Sequence, residues 1–163
     1  MTMPALAALW FLPFVAAIAV WVSISDMKVM KIPNVAVLGL VAVFLVVGPF
    51  VLPLQEWGFR WLHLAVVLVI GFLLNLIQGI GAGDAKLAAA IAPFVAFDDI
   101  GKFFLLMSAV SIGAVIFHRT LRSIPAVRRA TPDWQSWNRR RDFPMGLALG
   151  ATLTIYLILA AIY

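Results

Sequence analysis

The amino-acid sequence predicts an all-α integral membrane protein with six transmembrane helices, the fourth of them unusually short. Of the 163 residues, 64% are hydrophobic and 12% are charged, against roughly 45–50% and about 25% in an ordinary soluble domain. Apolar residues form long charge-free stretches without the alternation typical of strands. The chain contains no cysteine, which excludes a disulfide scaffold, a cysteine nucleophile and a thiolate metal site.

Six charge-free stretches define the predicted elements. In chain order they cover residues 5–24, 35–54, 61–80, 87–97, 103–117 and 145–163. A helix that spans a bilayer needs about 20 residues, which the first three stretches supply and the last nearly supplies. The fifth reaches this length if residues 100–102 extend its start, whereas the fourth has only 11 residues.

The basic residues predict the orientation in the membrane. With six crossings, the connections after the first, third and fifth helices share one face and hold ten of the 12 Lys and Arg residues. Because basic connections stay in the cytoplasm, we expect these connections inside and both termini outside. Five crossings would place the arginine-rich connection 118–142 outside, so the charge rule favours counting the fourth stretch. Residues 1–163 then form a single membrane-embedded domain without a separate soluble domain.

Two carboxylates are the main candidates for chemistry. Asp26 follows the first stretch and Asp84 follows the third, so both are predicted on the cytoplasmic face at helix ends. If the first and fourth helices are neighbours, the two carboxylates can meet. At ~4 Å they would repel by about 4 kcal/mol in an effective dielectric near 20, which keeps one protonated and the other ionised. Such a dyad activates water and protonates a peptide carbonyl without a cofactor.

The surroundings of Asp84 predict a recessed pocket. A helix of 11 residues covers about 17 Å, little more than half of a bilayer core of roughly 30 Å. Its start must therefore lie below the cytoplasmic interface, where Gly79, Gly81 and Gly83 leave room for another segment of backbone. Two plainer interpretations stay open. Asp84 also fits the N-cap of the following helix, and Asp26 fits a solvated interfacial charge.

These residues resemble a known family. Asp26 with Ile-Pro-Asn at 32–34, and Gly-Ala-Gly-Asp-Ala-Lys-Leu at 81–87, resemble the type IV prepilin peptidases, membrane aspartyl proteases with a Gly-x-Gly-Asp motif. Phe-Pro-Met-Gly at 143–146 is similar to a Pro-x-Gly step in that family. The chain looks most like the short Flp-type, or tight-adherence, members, and the resemblance covers residues 22–150.

The resemblance implies that Asp26 and Asp84 are the catalytic aspartates of an endopeptidase without a cofactor. The residues that would shape the motif and pocket are Gly81, Gly83, Lys86, Pro33 and Asn34. The implied reaction removes the basic leader of a prepilin-like membrane protein at the cytoplasmic face of the bacterial inner membrane. Larger relatives carry a domain with Cys-x-x-Cys motifs and methylate the new N-terminus, which is not expected for a chain without cysteine.

Four other polar residues have two interpretations each. Asn75 and Gln78 lie one turn apart, and we favour hydrogen bonds between helices over a place in the pocket. Lys86 either favours an ionised aspartate or extends its ammonium to the interface. Asn34 either caps the second helix or supports the loop after Asp26.

Further titratable residues are excluded from the chemistry. Asp98 and Asp99 fall on the outer face, away from the two candidate aspartates. His63 and His118 have no second ligand near them in the sequence, so no metal site is expected.

The connection 118–142 carries seven arginines and is expected to bind anionic lipid. A nucleic-acid partner is not expected, because these basic residues lie against the membrane. Contact with a basic leader would be unfavourable unless Asp133, Asp142 or lipid headgroups mediate it.

Two other functions stay open at this stage. One is a presenilin-like or preflagellin-type peptidase, which shares the Gly-x-Gly-Asp motif. The other is a small transporter or pilus-assembly scaffold that uses the two aspartates as an ion site. The sequence indicates neither the particular pilin nor the oligomeric state.

Overall fold

The structure, a computed structural model, describes residues 1–139 and 142–163 and contains no strand within them. Its helices are α1 (Ala5–Val29), α2 (Asn34–Val51), α3 (Leu54–Leu76), α4 (Ala82–Ile91), α5 (Ile100–Ser123), α6 (Pro125–Ala130) and α7 (Met145–Ile162). Short 3-10 turns cover Ala92–Phe94, Phe97–Asp99 and Gln135–Trp137. Arg140 and Arg141, which belong to the predicted cytoplasmic face, lie outside the described residues.

Within the described residues, five helical segments are long and apolar enough to cross a membrane. They are Ala5–Val29, Asn34–Val51, Leu54–Leu76, Phe97–Ser123 and Met145–Ile162. α4 is not among them, because its 10 residues cover about 15 Å. The all-helical membrane class is therefore confirmed, whereas the count of six crossings stays a prediction.

α4 and the 3-10 turn that follows it run beside α3, from the level of Gly71 to the level of Arg60. The first turn of α4 packs against α3 so closely that a Cβ on Gly71 would lie 2.9 Å from the Cβ of Ala85. The 3-10 turn that follows it reaches the beginning of α3. There the Arg60 guanidinium donates hydrogen bonds to the carbonyl oxygens of Pro93 and Phe94. The chain from α4 to Phe94 thus runs antiparallel to α3.

An aromatic cluster fixes the far end of this segment. The ring of Phe94 meets the rings of Phe11 on α1 and Phe44 on α2 edge to face, with centroids 5.0 and 5.3 Å apart. All three side chains are fully buried, and such pairs stabilise beyond their buried area. The cluster therefore holds the short helix against α1 and α2 at the end away from the aspartates.

Three helices, α1, α3 and α5, are longer than the charge-free stretches that predicted them. α1 continues through Asp26 and ends where Met30 adopts a left-handed conformation, with φ 53°. Asp26 thus lies within the last two turns of the helix and not after it. α3 begins at Leu54, before the predicted start at residue 61, because Glu56 and the buried Arg60 pair one turn apart. A helix can thus continue past a charge-free stretch where its charged residues form an ion pair, as Glu56 and Arg60 do, or line a cavity, as Asp26 does.

The helices with the two aspartates are brought together by the helices between them. α1 packs mainly against α7 and α2, and α4 packs mainly against α3. α2 and α7 each contact both α1 and α4. The two carboxylates were expected to meet if the first and fourth helices are neighbours, and α2 and α7 are the helices that link α1 to α4. A Cβ on Gly150 of α7 would lie 3.1 Å from the Cβ of Ala19.

Candidate active site

Asp26 is buried against the beginning of α7. Its side chain is 5% exposed, and its Oδ2 accepts a hydrogen bond of 2.7 Å from the backbone N–H of Gly146. A Cβ on Gly146 would lie 2.9 Å from the same oxygen, so this approach requires glycine. The interpretation of Asp26 as a solvated interfacial charge is therefore wrong, because the carboxylate is enclosed by α7.

Asp84 lies in the first turn of α4. The N-cap of this helix is Gly81, and no side chain caps it, so the interpretation of Asp84 as the N-cap is wrong. The carboxylate instead folds back over Gly81, where a Cβ would lie 2.7 Å from its Oδ2. Burial, and secondly the negative charge of Asp26, raise the pKa of Asp84 to about 6, since both disfavour its ionised form.

The connection between α1 and α2 closes over the beginning of α4. The hydroxyl of Ser25 donates a hydrogen bond of 2.9 Å to the carbonyl oxygen of Lys31, which folds the connection back toward α1. Ile32 then lies against Gly83, where a Cβ would be 3.5 Å from the Cβ of Ile32. The second glycine of the motif thus faces the Ile-Pro-Asn segment, and the first faces the carboxylate.

A polar contact joins α2 to α4 beside the aspartates. Lys86 Nζ donates a hydrogen bond of 3.3 Å to Asn34 Oδ1, so its ammonium is bound by an amide. The N-cap of α2 is Pro33, and no side chain caps this helix. The interpretation of Asn34 as a cap is therefore wrong. Asn34 is the first helical residue, and its side chain links α2 to the helix that carries Asp84.

Asp26 and Asp84 line one cavity of about 670 Å³. The residues before and at the start of α7 that also line it are Gln135, Arg139, Asp142, Phe143 and Met145. Ala85 packs beside Gly71, five residues before α3 ends at Leu76. Asp84 therefore lies about 7 Å before the level at which α3 ends, and its depth below the membrane interface stays a prediction.

Asn75 and Gln78 neither form hydrogen bonds between helices nor line the cavity in the part of the chain that the structure describes. Asn75 Nδ2 donates a hydrogen bond of 2.8 Å to the carbonyl oxygen of Ile80, within the connection between α3 and α4. Gln78 lies after the end of α3 at Leu76. It is exposed, and its backbone is left-handed, with φ 57°. Both residues shape the turn that leads to Gly81.

Some residues of the site were not found from the sequence. The backbone N–H of Gly146 is the hydrogen-bond donor to Asp26, and the Pro-x-Gly step at 143–146 was the signal that pointed toward it. Met30, Gln135 and Arg139 line the cavity without any sequence signal. Their positions depend on how two connections fold back over the bundle.

Two carboxylates that share a cavity at one end of a helical membrane bundle define the class of protein: a multi-pass membrane protein with an intramolecular aspartate pair. The model of the type IV leader peptidase family matches residues 13–118, which include both aspartates. The chain belongs to this family of peptidases. No curated protein and no solved structure matches the sequence.

Proposed function

We propose that this chain is a membrane aspartyl endopeptidase that removes the basic leader of prepilin-like precursors with Asp26, Asp84 and one water molecule. The observation that carries the proposal is the shared cavity of the two carboxylates. Membership of a peptidase family supports it independently, because both aspartates fall within the matched residues.

The environments of the two aspartates assign them different roles. Asp84, with a pKa of about 6 raised by burial and by Asp26, is the group that keeps the shared proton. Asp26 accepts the N–H of Gly146, and a hydrogen bond of this kind favours the ionised form of a carboxylate. Asp26 is thus the general base and Asp84 the general acid in the resting enzyme, since two titratable groups with different environments divide these roles.

The reaction then proceeds through a tetrahedral intermediate without an acyl-enzyme. Asp26 takes a proton from water as the water oxygen bonds to the scissile carbonyl carbon, and Asp84 gives its proton to the carbonyl oxygen. Asp26 next protonates the leaving nitrogen as the carbon–nitrogen bond breaks, and Asp84 recovers the proton from a hydroxyl of the intermediate. The substrate must be extended at the cut, because a helix hides its carbonyl in its own hydrogen bonds.

The distribution of charge supports a cytoplasmic position of the cavity in the bacterial inner membrane. The connections at the cavity end carry ten of the 12 basic residues, and such connections stay inside. Both termini then lie outside. Arg128 and Arg129 on α6 would contact anionic lipid headgroups.

The test is cleavage of several candidate prepilin precursors by the purified protein in detergent. Asp26→Asn and Asp84→Asn should each lower kcat by about 10³-fold or more, because each removes one partner of the proton transfer. Asp98→Asn, an exposed carboxylate outside the cavity, is the matched control and should retain full activity. Circular dichroism and insertion into membranes should be unchanged in all three variants.

A chelator control separates the proposed mechanism from a metallopeptidase. Processing that survives the chelator and is lost in both cavity variants would support a metal-free aspartyl peptidase. Robust processing by either variant would refute the dyad. A folded wild-type protein that processes none of the precursors would instead favour an ion-transport or scaffold role for the two aspartates.

A further inference from the structure

The connection between α5 and α7 is packed against the bundle at the cavity. Ser136 and Trp137 are buried, and the Trp137 ring stacks on His118 with centroids 5.1 Å apart. Trp137 Nε1 donates a hydrogen bond of 3.0 Å to Thr131 Oγ1. Phe143 meets His118 edge to face and lines the cavity. The connection is therefore a wall of the cavity, held by an aromatic stack.

One carboxylate of this wall has no part in the proposed chemistry. Asp142 lines the cavity together with Asp26 and Asp84. Its Oδ2 pairs with Arg139 Nη1 at 2.9 Å, and the two side chains are 54% and 55% exposed. An exposed ion pair of this kind contributes little free energy, so one cation can replace another at small cost. Asp133 lies on the same connection and is exposed, but it does not line the cavity.

The cavity is also lined by two lysines outside this connection. They are Lys31, on the connection after α1, and Lys86, on α4. Neither forms a salt bridge with any described residue. A positively charged substrate side chain would be driven from these two lysines toward a carboxylate of the cavity that takes no part in the proposed proton transfer. Since Asp26 and Asp84 are occupied by the proton transfer, that carboxylate is Asp142.

We propose that Asp142 binds a Lys or Arg side chain of the substrate leader, and that Arg139 occupies this subsite in the empty enzyme. The inference rests on the proposed function and adds to it the direction in which the substrate lies. The leader points toward the α5–α7 connection, and the scissile bond lies over Asp26 and Asp84. The connection lies outside residues 13–118 matched by the family, so the assignment depends on the geometry of this chain.

The experiment compares kcat and KM of the wild-type protein, Asp142→Asn and the matched control Asp133→Asn on one precursor with a basic leader. Asp142→Asn should raise KM roughly three- to tenfold with kcat unchanged, because it removes binding that is equal in the ground and transition states. Asp133→Asn should change neither constant. Arg139→Gln should lower KM, because it vacates the subsite.

A charge exchange tests the contact directly. A precursor whose leader cations are replaced by Glu should be a poor substrate for the wild-type protein and a better one for Asp142→Lys. Recovery of this kind requires contact, because a general loss of folding would lower cleavage of both precursors.

The two proposals fail in different ways. Equal KM values for Asp142→Asn and Asp133→Asn, with the wild type active, would overturn the subsite and leave the peptidase intact. The absence of recovery in the charge exchange would overturn it as well. An unchanged KM in Arg139→Gln would overturn the role of Arg139. A wild-type protein that cleaves no precursor would overturn the proposed function and the subsite together.

Discussion

The two ends of the bundle hold their aspartates in different ways. Asp99, at the end with both chain termini, is fully buried, and both of its carboxylate oxygens accept hydrogen bonds. The donors are the backbone N–H groups of Thr2 and Met3, the hydroxyl of Tyr156 and the ammonium of Lys102. This carboxylate joins the N-terminus, α5 and α7, and it does not line the cavity of Asp26 and Asp84.

At the other end the carboxylates have fewer partners among the described residues. Asp26 accepts one hydrogen bond there, from Gly146, and burial and the charge of Asp26 raise the pKa of Asp84. Both line an open cavity. Titratable groups that face a cavity and have a perturbed pKa are candidates for a functional site. Among the described residues, the structural Asp99 thus differs from the two proposed catalytic aspartates in its larger number of partners.

The largest effect is expected for Asp99→Ala. The variant leaves two backbone N–H groups and the Tyr156 hydroxyl without an acceptor, which should lower the free energy of unfolding by about 3 kcal/mol. Thermal melting in detergent measures this loss. Peptidase activity per folded molecule should be retained.

The neighbouring Asp98 is the matched control for this prediction, because it is exposed. Asp98→Ala should have the same melting temperature as the wild-type protein. If Asp99→Ala also has the melting temperature of the wild-type protein, the hydrogen bonds of Asp99 have no structural role. The comparison between the two ends of the bundle is then wrong.

A smaller effect is expected for Gly81→Ala. The added Cβ would lie 2.7 Å from Asp84 Oδ2, so the carboxylate must move. A displacement of about 1 Å at a catalytic group lowers kcat by roughly 10- to 100-fold. Steady-state kinetics on a prepilin precursor measures the loss, and the melting temperature should change little.

Gly101→Ala is the control for added volume, because a Cβ there meets no atom within 4 Å. It should retain full activity. Unchanged kcat in Gly81→Ala would show that the position of the Asp84 carboxylate in the structure is not the one used in the reaction.

The smallest effect is a dependence of stability on pH that arises from Asp84. Its pKa is about 6 in the folded protein and 3.8 ordinarily, so the folded state binds more protons between these pH values. Stability should therefore fall as pH rises from about 4 to about 6 and level off above, by about 1–2 kcal/mol after allowance for partial exposure.

Melting in detergent between pH 4 and 8 measures this slope. Asp84→Asn should reduce it, whereas Asp98→Asn should preserve it. A steeper fall of stability in Asp84→Asn than in the wild type would contradict the raised pKa.

The site was predictable from the sequence where short motifs carry the information. The Gly-x-Gly-Asp run identified Asp84 and predicted room for another backbone segment at its glycines, and the structure shows that Ile32 lies against Gly83. The sequence was misleading about Asn75 and Gln78, because the end of α3 at Leu76 removes Gln78 from the helix that its spacing assumed. Neither of the two interpretations of Asn34, a cap of the second helix or a support of the loop after Asp26, included its hydrogen bond to Lys86 on α4.

Composition and local spacing by themselves determined the helical membrane class, the segregation of basic residues to one end and the presence of both aspartates at that end. These features depend on the free energy of transfer of side chains from water to lipid. Each segment has its own transfer free energy, which its local composition sets. Only the tertiary structure decided that Gly146 binds Asp26 from 120 positions away, and that Asp142 joins the cavity wall. Such contacts depend on how helices and connections pack against one another, which no local pattern specifies.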